Sequence, residues 1–229
     1  MTDLVLSSGF LAFGRHLGVL RALEETEYPI DGLCGTSSGA LIGGLWAAGH
    51  DTQTIAELVT TKRPYRWIRP HWAVWRGAFS MRAFLALLRA HLPPTFSALN
   101  RPFGVGVCGP DGAHHLLTEG PLPEAVAASC AVPYLFSSVP VAGIRYQDGG
   151  AVDRLGLTAW RAHRGTRNTV VHVVERSLGH LDEPDLADTI VVRTPRSGAS
   201  FWSLGDVDTR IQEAAALART ALNQAQTSG

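Results

Sequence analysis

A serine flanked by glycines, Gly35-Thr36-Ser37-Ser38-Gly39, is the segment of this sequence best suited to covalent chemistry. It follows the short apolar run Ile30-Asp31-Gly32-Leu33-Cys34. It precedes Ala40-Leu41-Ile42-Gly43-Gly44-Leu45-Trp46-Ala47-Ala48, a helix apolar on every side. Strand, sharp turn, then buried helix is the context in which Gly-x-Ser-x-Gly presents a nucleophile. The glycines have a mechanical reason. Strand and helix crowd together at such a turn, and the serine takes a strained backbone conformation. Its hydroxyl then projects beside the free N–H groups of a helix start, which favour negative charge. The bland alternative is a tight turn that merely joins two core elements. A second cluster, Asp148-Gly149-Gly150, closes the run Ile144-Arg145-Tyr146-Gln147. By itself it reads as a turn.

Other chemistries find less support. The chain has nine histidines, but His114, His163, His172 and His180 sit in no triad context and read as surface or strand residues. The serine also comes too early for an ordinary α/β-hydrolase, where several strands precede it and acid and histidine follow. No His-Glu-x-x-His or Cys-x-x-Cys is present, and adjacent His114 and His115 on a strand point to opposite faces, so neither metal nor cofactor is expected. Cys34 reads as a small core residue. Between Lys62 and Arg76, Arg63, Arg66 and Arg69 are interleaved with Trp67, Trp72 and Trp75. Indoles and guanidiniums in that pattern suit an anionic lipid surface, a peripheral membrane contact; the alternative is a cap over a cleft with solvated arginines.

The elements that must position these groups follow from hydrophobic pattern. Asp3 to Ser7, Ile30 to Cys34, Phe103 to Cys108, His114 to Leu117, Ile144 to Gln147, Val170 to Val174 and Thr189 to Val192 read as strands. Gly109-Pro110-Asp111-Gly112 is a hairpin turn between two of them. Helices are expected over His16 to Glu25, Ala40 to Ala48, Met81 to His91 and Pro123 to Cys130. Another starts after an Asp51 N-cap, and a last one carries Val207, Ile211, Ala214, Ala218, Leu222 and Ala225. Alternation of strand and helix at the start implies a three-layer α/β/α fold with a mostly parallel central sheet.

Twenty Lys plus Arg balance twenty Asp plus Glu, 45% of residues are hydrophobic and 17% charged. That composition excludes a disordered chain and argues against a nucleic-acid binder, whose footprint is plainly basic. The expectation is a single domain over residues 1–229, with residues 62–100 a cap-like excursion. Three scattered cysteines, no secretory leader at Met1-Thr2-Asp3 and no long apolar stretch lead to an expected cytoplasmic location, peripheral to a membrane at most. Oligomeric state has no sequence signal.

Taken together, the blocks resemble the patatin-like phospholipase family. They are Leu4-Val5-Leu6-Ser7, His16 to Glu25, Gly35 to Ala40, Pro93 to Phe96, Ala125 to Pro133 and Tyr146 to Asp153. The resemblance implies lipid acyl-ester hydrolysis through a dyad: Ser37 as nucleophile and Asp148 as its base, with Gly35, Gly39, Gly149 and Gly150 as motif glycines. It also implies an oxyanion hole of backbone N–H groups from the loop after the first strand and from Ser38. Relatives carry Gly-Gly-Gly-x-Arg-Gly in that loop. Here Ser8-Gly9-Phe10-Leu11-Ala12-Phe13 stands in its place, so the donors are Ser8, Gly9 and Phe10, and alanine occupies the arginine position. The rival expectation is a catalytically silent lipid- or partner-binding module with a remodelled loop.

Overall fold

A computed structural model describes residues 1–61, 69–70, 79–165, 167–175 and 186–227 of the chain. The strands are β1 (Thr2–Leu6), β2 (Gly32–Thr36), β3 (Arg69–Pro70), β4 (Phe79–Ser80), β5 (Phe103–Cys108), β6 (His114–Leu117), β7 (Val139–Val141), β8 (Ile144–Asp148), β9 (Asn168–Val174) and β10 (Thr189–Thr194). The helices are α1 (Phe13–Glu25), α2 (Ser38–Ala47), α3 (Thr52–Thr60), α4 (Arg82–His91), α5 (Leu122–Ser129), α6 (Leu157–Arg164) and α7 (Val207–Thr227).

Eight strands form one sheet in the order β10-β9-β1-β2-β5-β8-β7, with β6 also on β5; β3 and β4 form a separate two-stranded ribbon. From β10 to β5 the pairing is parallel, and β6, β8 and β7 add antiparallel partners. The parallel strands are buried on both faces, which explains why β1, β2 and β9 lack an alternating polar face. Successive residues still point to opposite faces. Leu4, Leu6, Leu33 and Val170 join the large core that also takes in α1 to α5 and α7. Val5, Cys34, Val171 and Val173 join a smaller one, closed by Leu157 and Trp160 of α6. The three layers are therefore unequal, with one thick helical layer and one thin.

The register of β5 positions the site. Its Phe103–Gly106 stretch pairs with Leu33–Thr36 of β2, while Val107 and Cys108 pair with Asp148 and Gln147 of β8. A strand has only two edges, and β6 occupies the other one along Val105–Cys108. So β2 and β8 share one edge of β5 end to end, running toward each other. The C-terminus of β2 and the C-terminus of β8 meet there.

Several element ends differ from expectation for local reasons. Helix α1 starts at Phe13, three residues before His16, with Ala12 as an N-cap that offers no side-chain bond. Strand β2 runs on to Thr36 because Gly35 and Thr36 still pair with Val105 and Gly106. Asp51 caps α3 as expected, accepting the Thr54 N–H at 2.7 Å. Helix α4, expected within an excursion, buries Phe84 and Leu88 in the main core. Arg63, Arg66, Trp67, Trp72 and Trp75 lie outside the described residues, and Arg69 is described only as backbone in β3. No described helix is long and apolar enough to cross a membrane.

Candidate active site

Ser37 occupies the turn between β2 and α2 with φ +56° and ψ −119°. A side chain rarely tolerates that conformation, which costs on the order of 1–3 kcal/mol and persists only where its surroundings impose it. They do so here by close packing. A Cβ on Gly39 would lie 2.3 Å from the Leu6 carbonyl oxygen, and one on Gly35 2.5 Å from the Gly39 carbonyl. Helix α2 can therefore press against β1 and β2 only through bare backbone. Three further contacts hold the turn. The Ser37 N–H donates to Ser129 Oγ at 2.8 Å, Ser129 Oγ donates to the Gly106 carbonyl at 2.7 Å, and Cys130 Sγ donates to the Ser37 carbonyl at 3.3 Å.

Asp148 ends β8 and is 6% exposed. Its two oxygens are divided. Oδ1 accepts the Gly150 N–H at 2.8 Å, and Oδ2 accepts the Ser37 hydroxyl at 2.7 Å. The Asp148 N–H is itself anchored on the Ala131 carbonyl at 3.0 Å. Ser37 and Asp148, 111 residues apart in sequence, thus meet where β2 and β8 abut on β5.

Beside them lies a cavity of about 820 Å³. Ser37, Ser38, Asp148, Gly9 and Phe10 line one part of it. Phe13, Leu41, Met81, Phe84, Val132 and Phe136 line an apolar wall, and Arg154, Glu175 and Arg196 also border it. Among the described residues, the N–H groups of Gly9, Phe10 and Ser38 find no hydrogen-bond acceptor. Ser8 is different. Its N–H donates to the Arg154 carbonyl at 2.7 Å, so the structure removes it from the expected set of oxyanion donors. The reason is geometric: the loop leaves β1 beside the chain that follows Asp148, and the two backbones pair there.

A buried polar chain outside the expected site residues ends at the same place. His16 Nε2 lies 3.0 Å from Ser38 Oγ, His16 Nδ1 lies 2.9 Å from His172 Nδ1, and His172 Nε2 lies 2.9 Å from Thr194 Oγ1. Both rings are 0% exposed. Burial pushes the His16 pKa down to about 3, against a weak opposing contact with the Ser7 backbone. Burial above all, with the neighbouring His16 ring and the Arg15 charge each disfavouring a second positive charge there, holds His172 well below the usual imidazole range. Both are neutral near pH 7, so one ring donates and the other accepts between the two Nδ1 atoms. His172 is a strand histidine, as read, but a fully buried one. His163 is an exposed helix residue, and His180 lies outside the described residues. His114 lies partly buried, whereas His115 pairs with Asp111 at 3.0 Å on the surface. No group of three or more His, Cys, Asp or Glu that would hold a metal occurs among the described residues. Cys130, next to Ser37, is held far above the ordinary thiol range by burial and by the Asp148 carboxylate; it stays protonated.

Fold and site together define an open α/β/α domain with a serine on a strained strand-to-helix turn, hydrogen-bonded to an aspartate at the end of an abutting strand. A family model described as patatin-like phospholipase matches residues 4–159. The chain belongs to that family. It is 31% identical over 158 residues to an NTE family protein of Mycobacterium tuberculosis, a match covering 67% of this chain and 44% of that one. It is 45% identical over 76 residues to a lysophospholipase NTE1 of Mycosarcoma maydis, 33% of this chain and 4% of the fungal one. The chain thus spans less than half the length of these curated relatives. Among solved structures it is similar to VipD from Legionella pneumophila, with a TM-score of 0.63 at 13% identity, covering 97% of this chain and 67% of that one. It is also similar to the type III effector protein ExoU, with a TM-score of 0.54 at 14% identity, covering 97% and 53%. At such identities the two structures speak to fold alone. Strands β9 and β10 and helix α7 fall after the matched segment, yet β9 pairs directly with β1.

Proposed function

We propose that this domain hydrolyses lipid acyl esters through Ser37 and Asp148. The observation that carries the reading is the 2.7 Å hydrogen bond from Ser37 Oγ to Asp148 Oδ2 at a turn held in strain. In the first step Ser37 Oγ bonds to the acyl carbon as its proton passes to Asp148 Oδ2. The carbonyl π-electrons move to the oxygen, and the N–H groups of Gly9, Phe10 and Ser38 receive the oxyanion. Each such donor is worth roughly 3 kcal/mol in other enzymes. Collapse of the intermediate breaks the ester C–O bond, and Asp148 returns its proton to the leaving alcohol. Water, deprotonated by the same carboxylate, then releases the acid and restores the serine.

An ordinary carboxylate is a weak base for an alcohol, so placement must supply much of the effect. Binding of Oδ1 to the Gly150 N–H fixes the carboxylate plane and leaves Oδ2 aimed at the serine. The apolar wall formed by Phe13, Leu41, Met81, Phe84 and Phe136 suits an acyl chain. Membership in the patatin-like phospholipase family supports a lipid substrate. The silent-module alternative calls for a broken pair or a blocked loop, and neither fits a bonded Ser37 and open Gly9 and Phe10 amides.

A fluorophosphonate probe tests the reading directly. The wild-type protein is expected to be labelled at Ser37, and Ser37→Ala to remain unlabelled. Asp148→Asn is expected to lose p-nitrophenyl-ester turnover by about a thousandfold or more, with its thermal midpoint preserved. Equal labelling of wild type and Ser37→Ala would overturn the assignment of the nucleophile. Retained turnover in Asp148→Asn would move the base to another group.

A further inference from the structure

The loop that presents the Gly9 and Phe10 amides lacks the glycine run that would let it adopt its shape freely. It is held from outside. The Ser7 N–H donates to the His172 carbonyl at 3.0 Å, and Ser7 Oγ accepts the Val174 N–H at 2.9 Å. Ser197 Oγ donates to the Phe10 carbonyl, and Leu11 closes the loop at φ +48°. Between these anchors the loop is held at Ser8 by one residue, Arg154, from two sides. The Arg154 carbonyl accepts the Ser8 N–H at 2.7 Å, and its Nη2 donates to the Ser8 carbonyl at 3.0 Å. The same nitrogen donates to the Val174 carbonyl at the end of β9.

Arg154 stands in the chain just after Asp148-Gly149-Gly150, and Asp153 shapes that stretch by accepting the Leu155 and Gly156 N–H groups, each at 2.9 Å. The residue therefore ties the segment bearing the carboxylate to the loop bearing the amides. The two N–H groups of Nη2 are fixed in the guanidinium plane and serve the two carbonyls at a set angle; a lysine ammonium has donors enough but no plane to fix their direction. Turning the Ser8 carbonyl toward Arg154 also directs the following peptide, and so the Gly9 N–H, by the planarity of the peptide unit.

We propose that Arg154 is a positioning residue: it sets the Gly9 and Phe10 amides for the oxyanion by clamping Ser8 from a segment 146 residues further along the chain. This rests on the Ser37–Asp148 reading.

The test uses Arg154→Ala and Arg154→Lys in the full chain, with p-nitrophenyl butyrate and a lysophospholipid as substrates. With Arg154→Ala, kcat on the neutral ester is expected to fall about a hundredfold while KM stays within about twofold, and kcat on the lysophospholipid to fall equally. Arg154→Lys is expected to recover about a tenth of wild-type kcat, since one carbonyl remains served. Unchanged kcat on the neutral ester would overturn the proposal. So would a loss confined to KM on the lysophospholipid, because that identifies a headgroup contact instead. A readout independent of turnover is hydrogen exchange of the peptide spanning Ser7 to Ala12. Exchange there is expected to speed up about tenfold or more in both variants while β2 exchanges as in wild type. Equal exchange in all three proteins would sink the clamp whatever the kinetics. If wild type shows no Ser37-dependent turnover but the exchange effect is present, the fault lies with the reaction and the clamp stands.

Discussion

Titrating the protein from about pH 7.5 to about pH 5 is expected to weaken the fold, because His16 and His172 are buried in the neutral form and regain an ordinary pKa of about 6.5 on unfolding. The folded pKa values are lowered, so the unfolded chain binds more protons below about pH 6.5. The stabilisation is complete above that pH and is lost as pH falls toward the folded values. For His16 the window runs from about 6.5 down to about 3, and crossing it removes on the order of 5 kcal/mol. Each pH unit within the window removes about 1.4 kcal/mol, so His16 alone loses about 2 kcal/mol by about pH 5, and His172 adds a loss of the same sign. Carboxylates add their own losses mainly below about pH 4.5. Against a total stability of about 5–15 kcal/mol, the effect is large. Urea unfolding followed by tryptophan fluorescence should show the midpoint falling by about 1–2 M between the two pH values, at a slope of about 2–3 kcal/mol per molar. His172→Gln removes one titrating ring and is expected to show a smaller pH dependence than wild type, whatever its stability at neutral pH. A flat stability across this range, or an unchanged pH dependence in the variant, would refute the reasoning.

Two further changes test the scaffold. Ser129→Ala removes the hydroxyl that joins the Ser37 N–H to the Gly106 carbonyl, so the part-buried Ser37 N–H loses its acceptor and the carbonyl loses this donor. A loss of about 2–3 kcal/mol in urea unfolding is expected, with kcat on p-nitrophenyl butyrate down about tenfold; wild-type values for both would contradict the role given to Ser129. Glu213→Gln weakens the 2.6 Å ion pair between α7 and Arg15 of α1, in which the arginine side chain is 7% exposed and the glutamate 54%. Half-exposed glutamate screens the pair, so the expected loss is about 1 kcal/mol, read as a thermal midpoint about 2–4 °C lower.

Much of this architecture is legible in the residues because the information is local. The apolar runs of β1, β2 and β9 are buried strands, Gly109 to Gly112 is a hairpin turn, and Asp51 caps a helix. Each needs only its own neighbours to be read. The Gly35–Gly39 turn is legible for the same reason, since strand, glycines and apolar helix are contiguous. Asp148 is legible only beside a family pattern, because nothing local says that β8 will run antiparallel onto the edge of β5 that β2 has left vacant. The partner of the Ser8 amide is illegible on similar grounds: Arg154 lies 146 residues away. The His16–His172 contact spans 156 residues. One signal for it does exist in the sequence. His172 is a lone ionisable group in the apolar strand Thr169 to Val174, and a fully buried imidazole there must find a partner.

The head-to-head meeting of β2 and β8 separates two kinds of distance. How many residues lie between Ser37 and Asp148 has no bearing on how far apart they are, because consecutive rungs of β5, Gly106 and Val107, fix the gap. The intervening chain is free to lengthen, shorten or be exchanged as long as β5 and β8 keep their register. A domain built in this way can change what it admits to its cavity through its connecting segments while the reacting pair stays as it is. Tolerance to insertion is thus a property of the ladder, and single-residue slippage of β8 against β5 is the one change it does not forgive.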